Sequence, residues 1–471
     1  MTASPAPVGT RPAPAPPVVH SDPQPAPAPA PAYPAEWTEV AKTITTLAKH
    51  NHRAWDRLAY MTDIFGPRLA GTQALEDAID WSLETMKADG LSNARREKVM
   101  VPHWERGEES ATLIAPVERE LVVIGLGGTV GTPKRGIKGE IIVFETLEAL
   151  EALGEEDRSQ IEGKIVVLNQ VMPKYDAGKP DSAGYGPTVK IRSQGPVVAS
   201  RYGAKAVLIR SVTAHSLRTP HTGMTRYTDD VKKIPAAALS PADADFLARM
   251  ASRGKAEVQL KLGGKLLGQA ESANAIAEIP GREKPEEIVL IGGHIDSWDT
   301  GTGANDDGSG CLMAMEAAKL LLESGLQPKR TIRVVLFTNE EFGLDGAKAY
   351  FEAHKDEVHV AAIEADSGSG APQGFGVAGE DEGRVAAVAA WAPLFEALGA
   401  AQIGKGWGGA DIAQLTEQGV LSLSVRPDGS WYFDVHHSPA DTVDKIDPDH
   451  LERNAASMAL MAYLLAESDP I

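Results

Sequence analysis

Cysteine, long apolar runs and positive charge are scarce in this chain of 471 residues. Cys311 is the single cysteine, so no internal disulfide can form, and we interpret it as a small buried side chain. No run approaches the roughly 18 apolar residues of a transmembrane helix. The 46 Lys and Arg residues against 65 Asp and Glu residues give a net charge of -19. That balance argues against nucleic acid or an anionic membrane as the partner.

Several common catalytic signatures are also missing. The sequence contains no His-Glu-x-x-His helix, no Gly-x-Ser-x-Gly elbow and no phosphate loop ending in Gly-Lys-Ser or Gly-Lys-Thr. A glycine-rich stretch at 125–131 has the wrong spacing for a dinucleotide loop, and Pro133 follows it. The enzyme classes that depend on these motifs are therefore excluded.

Polar residues collect at the ends of three predicted strands. His294 and Asp296 follow the apolar run at 288–291, Glu340 and Glu341 follow the run at 331–338, and Asp366 follows the run at 360–365. Ligands bind at the carboxyl ends of the strands in open α/β sheets. We therefore expect these side chains to share one edge of a sheet.

Two further segments add ligand types to this edge. A glycine-rich loop at 303–310 carries Asp306 and leads into a predicted buried helix from Cys311, and His436 and His437 stand near the C-terminus. Glycines allow such a loop to fold tightly. Taken singly, each of these motifs is typical of ordinary loops, helix starts and turns. Taken together, their histidine nitrogens and carboxylate oxygens are the ligands of catalytic zinc.

At these residues the chain resembles the di-zinc exopeptidases related to aminopeptidase Y and the glutamate carboxypeptidases. The resemblance rests on Gly-His-Ile-Asp-Ser-Trp-Asp at 293–299, Gly-Ala-Asn-Asp-Asp-Gly at 303–308, Asn-Glu-Glu at 339–341, and His-His with Ala-Asp-Thr at 436–442. A stretch at 101–107, Val-Pro-His-Trp-Glu-Arg-Gly, is similar to the subgroup of plasma glutamate carboxypeptidases, or carboxypeptidases Q. The likeness runs from about residue 36 to the C-terminus.

The resemblance implies two zinc ions per chain. The implied ligands are His294, Asp306, Glu341, Asp366 and His437. Asp306 would bridge both ions, while Glu341 and Asp366 would bind different ions. We choose His437 over His436 because the family histidine lies four residues before the Asp of an Asp-Thr pair, here Asp441 and Thr442.

The same resemblance implies roles beyond the ligands. Glu340 corresponds to the general base, and Asp296 to the carboxylate that orients the ring of His294. Adjacent side chains of an extended chain point opposite ways, which suits one base and one ligand at Glu340 and Glu341. The family also implies a cis peptide between Asp306 and Asp307. Weaker likenesses assign substrate binding to Asp411, Tyr432 and His436.

The implied fold is α/β, with a mixed central sheet flanked by helices and an inserted, smaller, β-rich protease-associated domain. We expect a flexible Ala/Pro-rich tail at 1–35 and a catalytic domain at 36–124 and 269–471. The insert at 125–268 has no cluster of histidines and acids, so we expect it to shape or cover the cleft. Apolar spacing predicts helices at 37–47 and 73–89, the second ended by Gly90.

The predicted function is a zinc exopeptidase that cleaves dipeptides or short peptides with a free N-terminus. Three alternatives stay open: a true carboxypeptidase, a one-zinc enzyme similar to glutaminyl cyclases, and a catalytically silent binding protein of the same fold. The sequence leaves the oligomeric state open, and a homodimer is one candidate. The tail lacks the basic start and apolar run of a secretory signal, yet such tails often follow a cleaved signal or lipid anchor. We therefore expect a periplasmic or extracellular protein.

Overall fold

The computed structural model describes residues 1, 33–49, 51–176, 184–215 and 217–471. Nearly all of the tail predicted at 1–35 lies outside the described residues. Within them, the strands form two mixed sheets of eight strands each, with helices packed against both. No helix in these ranges is long and apolar enough to cross a membrane. The expected α/β class with a second, β-rich unit is confirmed.

The strands are, in chain order, β1 (Ser92–Glu105), β2 (Ser110–Ala115), β3 (Arg119–Leu121), β4 (Val123–Gly125), β5 (Ile137–Phe144), β6 (Ile165–Leu168), β7 (Ala206–Arg210), β8 (Ala236–Leu239), β9 (Glu257–Lys261), β10 (Lys265–Ile279), β11 (Lys284–His294), β12 (Arg330–Phe337), β13 (Val358–Glu364), β14 (Pro372–Val377), β15 (Gln402–Lys405) and β16 (Leu421–Pro427). The first sheet has the order β1-β10-β12-β11-β13-β16-β14-β15, and the second has the order β3-β2-β9-β5-β6-β7-β8-β4.

The α-helices are, in chain order, α1 (Glu36–Ala48), α2 (Arg53–Ile64), α3 (Gln73–Asp89), α4 (Leu147–Glu151), α5 (Arg158–Ile161), α6 (Tyr185–Thr188), α7 (Lys190–Ser193), α8 (Gly195–Arg201), α9 (Pro241–Ala251), α10 (Ser309–Glu323), α11 (Glu340–Gly343), α12 (Asp345–His354), α13 (Glu382–Ala389), α14 (Ala413–Glu417), α15 (Tyr432–Val435) and α16 (Pro448–Glu467). Tighter helical turns occur at Glu155–Asp157, Ala392–Leu398 and Val443–Lys445.

The first sheet is buried on both faces. Val289 and Ile291 of β11 pack into a core with α10 and α16, while Leu290 between them packs into the opposite core with Tyr350 of α12. β11 lies between the parallel strands β12 and β13. Helices connect parallel strands and pack on both faces of such a sheet. Double burial explains why the run at 288–291 is continuously apolar rather than alternating.

The predicted helix at 73–89 is confirmed residue for residue as α3. The hydroxyl of Thr72 accepts a hydrogen bond from the amide of Leu75 at its start. At its end Gly90 adopts a φ of +101°, a left-handed conformation that glycine takes without strain. These local signals fix both ends of the helix.

The second sheet is built from strands between residues 110 and 261, and we refer to this range as the inserted unit. β2 pairs with β9, so the strands near its two ends lie side by side at one edge. Strands β2, β3 and β4, which span residues 110–125, are therefore part of this sheet. The domain boundaries inferred from the sequence, 124/125 and 268/269, stay a prediction.

Candidate metal centre and active site

Three neighbouring parallel strands deliver the polar side chains to one edge of the first sheet. His294 is the last residue of β11, Glu340 and Glu341 begin α11 just after β12, and Asp366 lies two residues beyond β13. Because β12, β11 and β13 are adjacent and parallel, their carboxyl ends meet. The strand-end pattern in the sequence thus becomes a single cluster.

Asp306 lies between two groups of ligand-type side chains. Its Oδ1 is 3.2 Å from Nε2 of His294, which in turn lies 3.6 Å from Oδ1 of Asp366. Its Oδ2 is 3.2 Å from Nε2 of His437, which lies 2.9 Å from Oε2 of Glu341. We name these the His294 group and the His437 group. One carboxylate therefore faces both groups, one oxygen toward each.

The cluster is buried, and several of its polar atoms have no hydrogen-bond partner. His294, Asp306, Glu341 and His437 are each less than 8% exposed. Among the described residues, Nε2 of His294, Oδ2 of Asp306 and Oε1 of Glu341 make no hydrogen bond. Buried polar atoms without partners are rare and call for an explanation. Nitrogen and carboxylate donors in this arrangement fit zinc ions.

The electrostatics of the Asp306 carboxylate agree with a cation site. Burial alone would raise the pKa of Asp306, but the imidazoles of His436, His294 and His437 hold it well below its usual range. Asp306 is therefore a stable anion at the centre of the cluster. The ionised form of a carboxylate is the one that binds cations.

Two further aspartates hold the loop that carries Asp306. Asp441 accepts hydrogen bonds from the amides of Asn305 and Asp306 at 2.7 and 3.1 Å. Asp307 accepts from the amides of His294 and Gly310, both at 3.0 Å. Both oxygens of Asp307 are thus engaged with the backbone, which favours a loop role over a ligand role. The peptide between Asp306 and Asp307 is cis, as the resemblance implies.

The carboxylate of Asp296 contacts the start of α11 more closely than the ring of His294. It accepts hydrogen bonds from the amides of Glu340 and Glu341 at 3.0 and 3.3 Å. Nδ1 of His294 lies 3.0 Å from the backbone oxygen of Asp296 and 3.7 Å from its carboxylate. Asp296 therefore positions α11 through its side chain and the His294 ring through its main chain.

Glu340 is half-buried and lines the cleft beside the cluster. Burial raises its pKa well above the usual range, His294 opposes the shift, and Glu341 and Asp366 add to it. A carboxylate held next to a reaction centre with a raised pKa is suited to accepting a proton.

The three weaker candidates occupy different places. His436 stacks on His437 with ring centroids 3.6 Å apart, and its Nε2 lies 3.5 Å from Oδ2 of Asp306. Tyr432 and His436 both line the cleft. Asp411 is buried, with neither carboxylate oxygen hydrogen-bonded among the described residues. Burial raises its pKa well above the usual range, and the charges of Glu364 and Glu340 add to the shift.

The cleft above the cluster has a volume of about 1600 Å³ and lies between the two sheets. Within the described part of its wall, the acidic residues are Asp306, Glu341 and Asp366 of the cluster and Glu340 beside it. The basic residues of the wall are Arg192, Arg226, Lys233, Lys265, Lys348 and Arg426. A chain with a net charge of -19 thus presents cations around an acidic floor.

Some residues that shape the site were not identified from the sequence. Arg68 is fully buried, and its guanidinium donates to the carbonyls of Ile295, Thr302 and Gly303 at 2.7–2.9 Å. It braces the loop between His294 and Asp306. The sequence signal for Arg68 was an arginine inside the turn-forming stretch Gly-Pro-Arg-Leu-Ala-Gly at 66–71. A charged residue between turn residues gives no periodic pattern, so this signal does not indicate burial.

A family model described as peptidase family M28 matches residues 274–462, a range that contains every candidate ligand. Carboxypeptidase Q of Mus musculus is 41% identical over 441 residues, which cover 92% of this chain and 91% of the mouse protein. The match therefore extends through the inserted unit as well as the first sheet.

Solved structures are similar over the same length. A peptidase M28 precursor from Shewanella amazonensis has a TM-score of 0.87 at 38% identity, covering 92% of this chain and 97% of the other. A zinc aminopeptidase from Bacillus subtilis has a TM-score of 0.62 at 21% identity, covering 88% and 94% of the two chains. At that identity the second likeness shows the fold alone.

Proposed function

The chain belongs to peptidase family M28, and from this premise we propose that it is a two-zinc aminopeptidase or dipeptidase. The family agrees with the resemblance predicted from the motifs, and a metallopeptidase of the zinc type follows from it. The proposal adds the number of ions, the roles of individual residues and a substrate with a free N-terminus.

One observation carries the two-ion proposal: Asp306 faces His294 with one oxygen and His437 with the other. A single catalytic zinc takes roughly three protein ligands and a water, so one ion would leave the donors on one side of Asp306 unused. Here the second histidine has its own carboxylate partner, Glu341, at 2.9 Å. The His294 group with Asp366 and the His437 group with Glu341 would each hold one zinc.

Zinc bound in these groups would lower the pKa of a water and polarise the scissile carbonyl. Glu340 takes the proton of the attacking water on its carboxylate and passes it to the leaving nitrogen. Its place at the first residue of α11 keeps it next to Glu341 while its side chain lines the cleft. Zinc held in these groups would favour the ionised form of Glu340 and so oppose its raised pKa, as a base requires.

The walls of the cleft support a short substrate with two free ends. A free amine suits the acidic floor, which consists of the carboxylates of the cluster. The exposed cations around it suit a carboxylate at the other end of a dipeptide. Arg226 and Lys233 come from the inserted unit, while Lys265 and Lys348 come from residues around the first sheet.

A panel of matched dipeptides tests this proposal. Each peptide is offered free, N-acetylated and C-amidated to the purified full chain, and the released amino acid is identified. We expect the free peptide to be cut fastest and the N-acetyl form not to be cut, because blocking the amine removes both binding and register. Elemental analysis of the same sample should give about two zinc ions per chain.

A true carboxypeptidase is the second candidate, since the mouse relative carries the name carboxypeptidase Q. Efficient release of the C-terminal residue from N-acetyl peptides would favour it and contradict the aminopeptidase proposal. A single zinc with cyclisation of N-terminal glutamine would indicate a cyclase. Absence of turnover on the whole panel with zinc bound would indicate a silent binding protein.

A further inference from the structure

The inserted unit holds the segment Tyr432–His437, which we name the histidine segment. The amide of Thr222 donates to the carbonyl of His437 at 2.9 Å. Nδ1 of His221 lies 2.6 Å from the carbonyl oxygen of His436. Tyr185 stacks on Phe433 with ring centroids 4.7 Å apart. The candidate ligand His437 is therefore fixed by residues outside the sheet that carries the other ligands.

The backbone of His437 needs such support. Its φ of +59° lies in the left-handed region, which residues with a Cβ rarely adopt. A residue persists there when its surroundings hold it. The carbonyls of His436 and His437 belong to the peptide groups before and after this residue, and His221 and Thr222 bind one each. Both peptide planes are thus fixed from the inserted unit.

The inserted unit also contacts Nδ1 of His437, the ring nitrogen that faces away from Asp306 and Glu341. A histidine that binds metal through Nε2 carries its proton on Nδ1 and needs an acceptor there. The carbonyl oxygen of Thr222 lies 3.3 Å from Nδ1 of His437. Arg192 donates to that oxygen at 3.3 Å, and its Nη1 lies 3.0 Å from Nδ1. The Thr222 carbonyl is the acceptor for a protonated Nδ1, whereas Arg192, which has only donors, bonds this nitrogen when Nδ1 is unprotonated.

Arg192 is itself held tightly. It is 9% exposed, and its Nη2 donates to the hydroxyl of Tyr185 at 2.8 Å. A Cβ at position 223 would overlap its guanidinium, so Gly223, at a φ of +130°, leaves the space it occupies. Burial lowers the pKa of His221 to about 4, so its ring is neutral and donates from Nδ1 to the carbonyl of His436.

We infer that the inserted unit is part of the metal centre, with Arg192 and His221 as positioning residues for His437. The inference rests on the proposed two-zinc function. Among the described residues, the hydrogen bonds and ion pairs of His294 and Asp366 come from Asp296, Asp306, Asp307 and each other. Loss of the contacts from the inserted unit should therefore weaken one zinc ion and spare the other.

Equilibrium dialysis of the full chain against buffered free zinc tests this inference. His221→Leu and Arg192→Met remove the donors while keeping apolar bulk. We expect wild type to bind two ions, and each variant to bind one with unchanged affinity and the second about 10–100-fold more weakly. His221→Asn keeps a donor near the position of Nδ1 and should restore the second ion.

Arg210→Met is the matched control. Arg210 is also a buried arginine of the inserted unit, but it pairs with Asp245 at 2.6 Å and has no contact with the histidine segment among the described residues. It should lower thermal stability without changing the second zinc affinity. Circular dichroism of every variant separates a misplaced ligand from an unfolded chain.

The outcomes are distinct. If wild type binds two ions and both variants also bind two with wild-type affinity, the inference is overturned. If Arg210→Met weakens the second ion as much as Arg192→Met does, the effect is general loosening and the positioning role is wrong. If wild type itself binds one ion or none, the two-zinc proposal has failed, and this inference with it.

Discussion

The two sheets of this molecule have the same central arrangement and different chemistry. In the first, β12, β11, β13 and β16 are adjacent and parallel, with antiparallel neighbours on both sides. In the second, β5, β6, β7 and β8 are adjacent and parallel, again with antiparallel neighbours. Among the described residues, the groups of histidines and carboxylates that could hold a metal ion lie at the carboxyl edge of the first sheet. Topology alone therefore does not make a site.

The difference lies in how the strand ends satisfy their polar groups. After β7 in the second sheet, Arg210 pairs with Asp245 at 2.6 Å and reaches Asn169 at 3.3 Å. The hydroxyl of Ser240, after β8, accepts from the amide of Asp243 and caps α9. Nε of Arg210 and Oδ1 of Asp243 also lack hydrogen-bond partners, so an unpartnered atom does not by itself mark a site. In the first sheet the unpartnered atoms of His294, Asp306 and Glu341 are nitrogen and carboxylate donors that gather around one carboxylate, which is what a ligand site requires.

Metal removal should produce the largest loss of activity, and it tests most directly whether the first sheet carries the active centre. A strong chelator should abolish peptidase activity, because the unpartnered atoms of the first sheet then have no ion to bind. Activity should return when zinc is added back. The chelator pre-saturated with zinc is the control. Full activity in a sample shown by elemental analysis to be zinc-free would contradict a metal centre at this edge.

Glu340→Gln should have the next largest effect. The change keeps the size of the side chain and removes the proton acceptor, so kcat should fall by roughly 10²–10⁴-fold while zinc stays bound. Glu382→Gln makes the same change at the first residue of α13, on the surface, and should leave kcat unaltered. Near-normal turnover would exclude Glu340 as the base, and loss of zinc would instead indicate that it is a ligand.

Local patterns predicted the strand ends because each depends on a few neighbouring residues. The apolar run at 288–291 places His294, and Gly90 ends α3 as predicted. The contacts around His437 could not be predicted in that way. Arg192 lies 245 residues from His437 along the chain, and Arg68 lies 235 from Gly303. The repeats of 2 residues in strands and 3.6 residues in helices do not predict which residues meet at those sequence separations.

Asp296 shows the same limit within a single motif. The resemblance implied a carboxylate that orients the ring of His294, and the carboxylate of Asp296 lies 3.7 Å from Nδ1 of that ring. It also accepts hydrogen bonds from the amides of Glu340 and Glu341, which lie 44 and 45 residues away. The family resemblance supplied the residue, but only the packing of β11 against β12 shows what its side chain binds.

Asp296→Asn should have an intermediate effect. An amide side chain has one oxygen, so its NH₂ group would face one of the two amide donors of α11. We expect activity or zinc affinity to fall by roughly 10–100-fold, as for groups that support a ligand. A loss as large as that of His294→Ala would indicate that Asp296 binds metal itself.

Asp243→Asn is the matching change in the second sheet. Asp243 is also fully buried, and its carboxylate accepts from the amide of Val122 and the hydroxyl of Ser240, both at 2.9 Å. This variant should be less stable to heat, with kcat and zinc content as in wild type. Equal losses of activity from the two variants would mean that the sheets differ less in function than their strand ends indicate.

The smallest effects should come from the cleft wall, where the two regions act alike. Lys233 of the inserted unit and Lys265 of β10 are exposed cations on that wall. Changing either to Gln should lower kcat/KM for free dipeptides by less than about fivefold, with kcat unchanged, because exposed charges interact weakly through water. The loss should vanish at high salt, which screens such charges.

C-amidated dipeptides lack the carboxylate and should show no difference between variant and wild type. A salt-independent loss, or an equal loss on the amidated peptides, would mean that these lysines act through structure rather than charge. A change confined to one lysine would assign carboxylate binding to one wall instead of both.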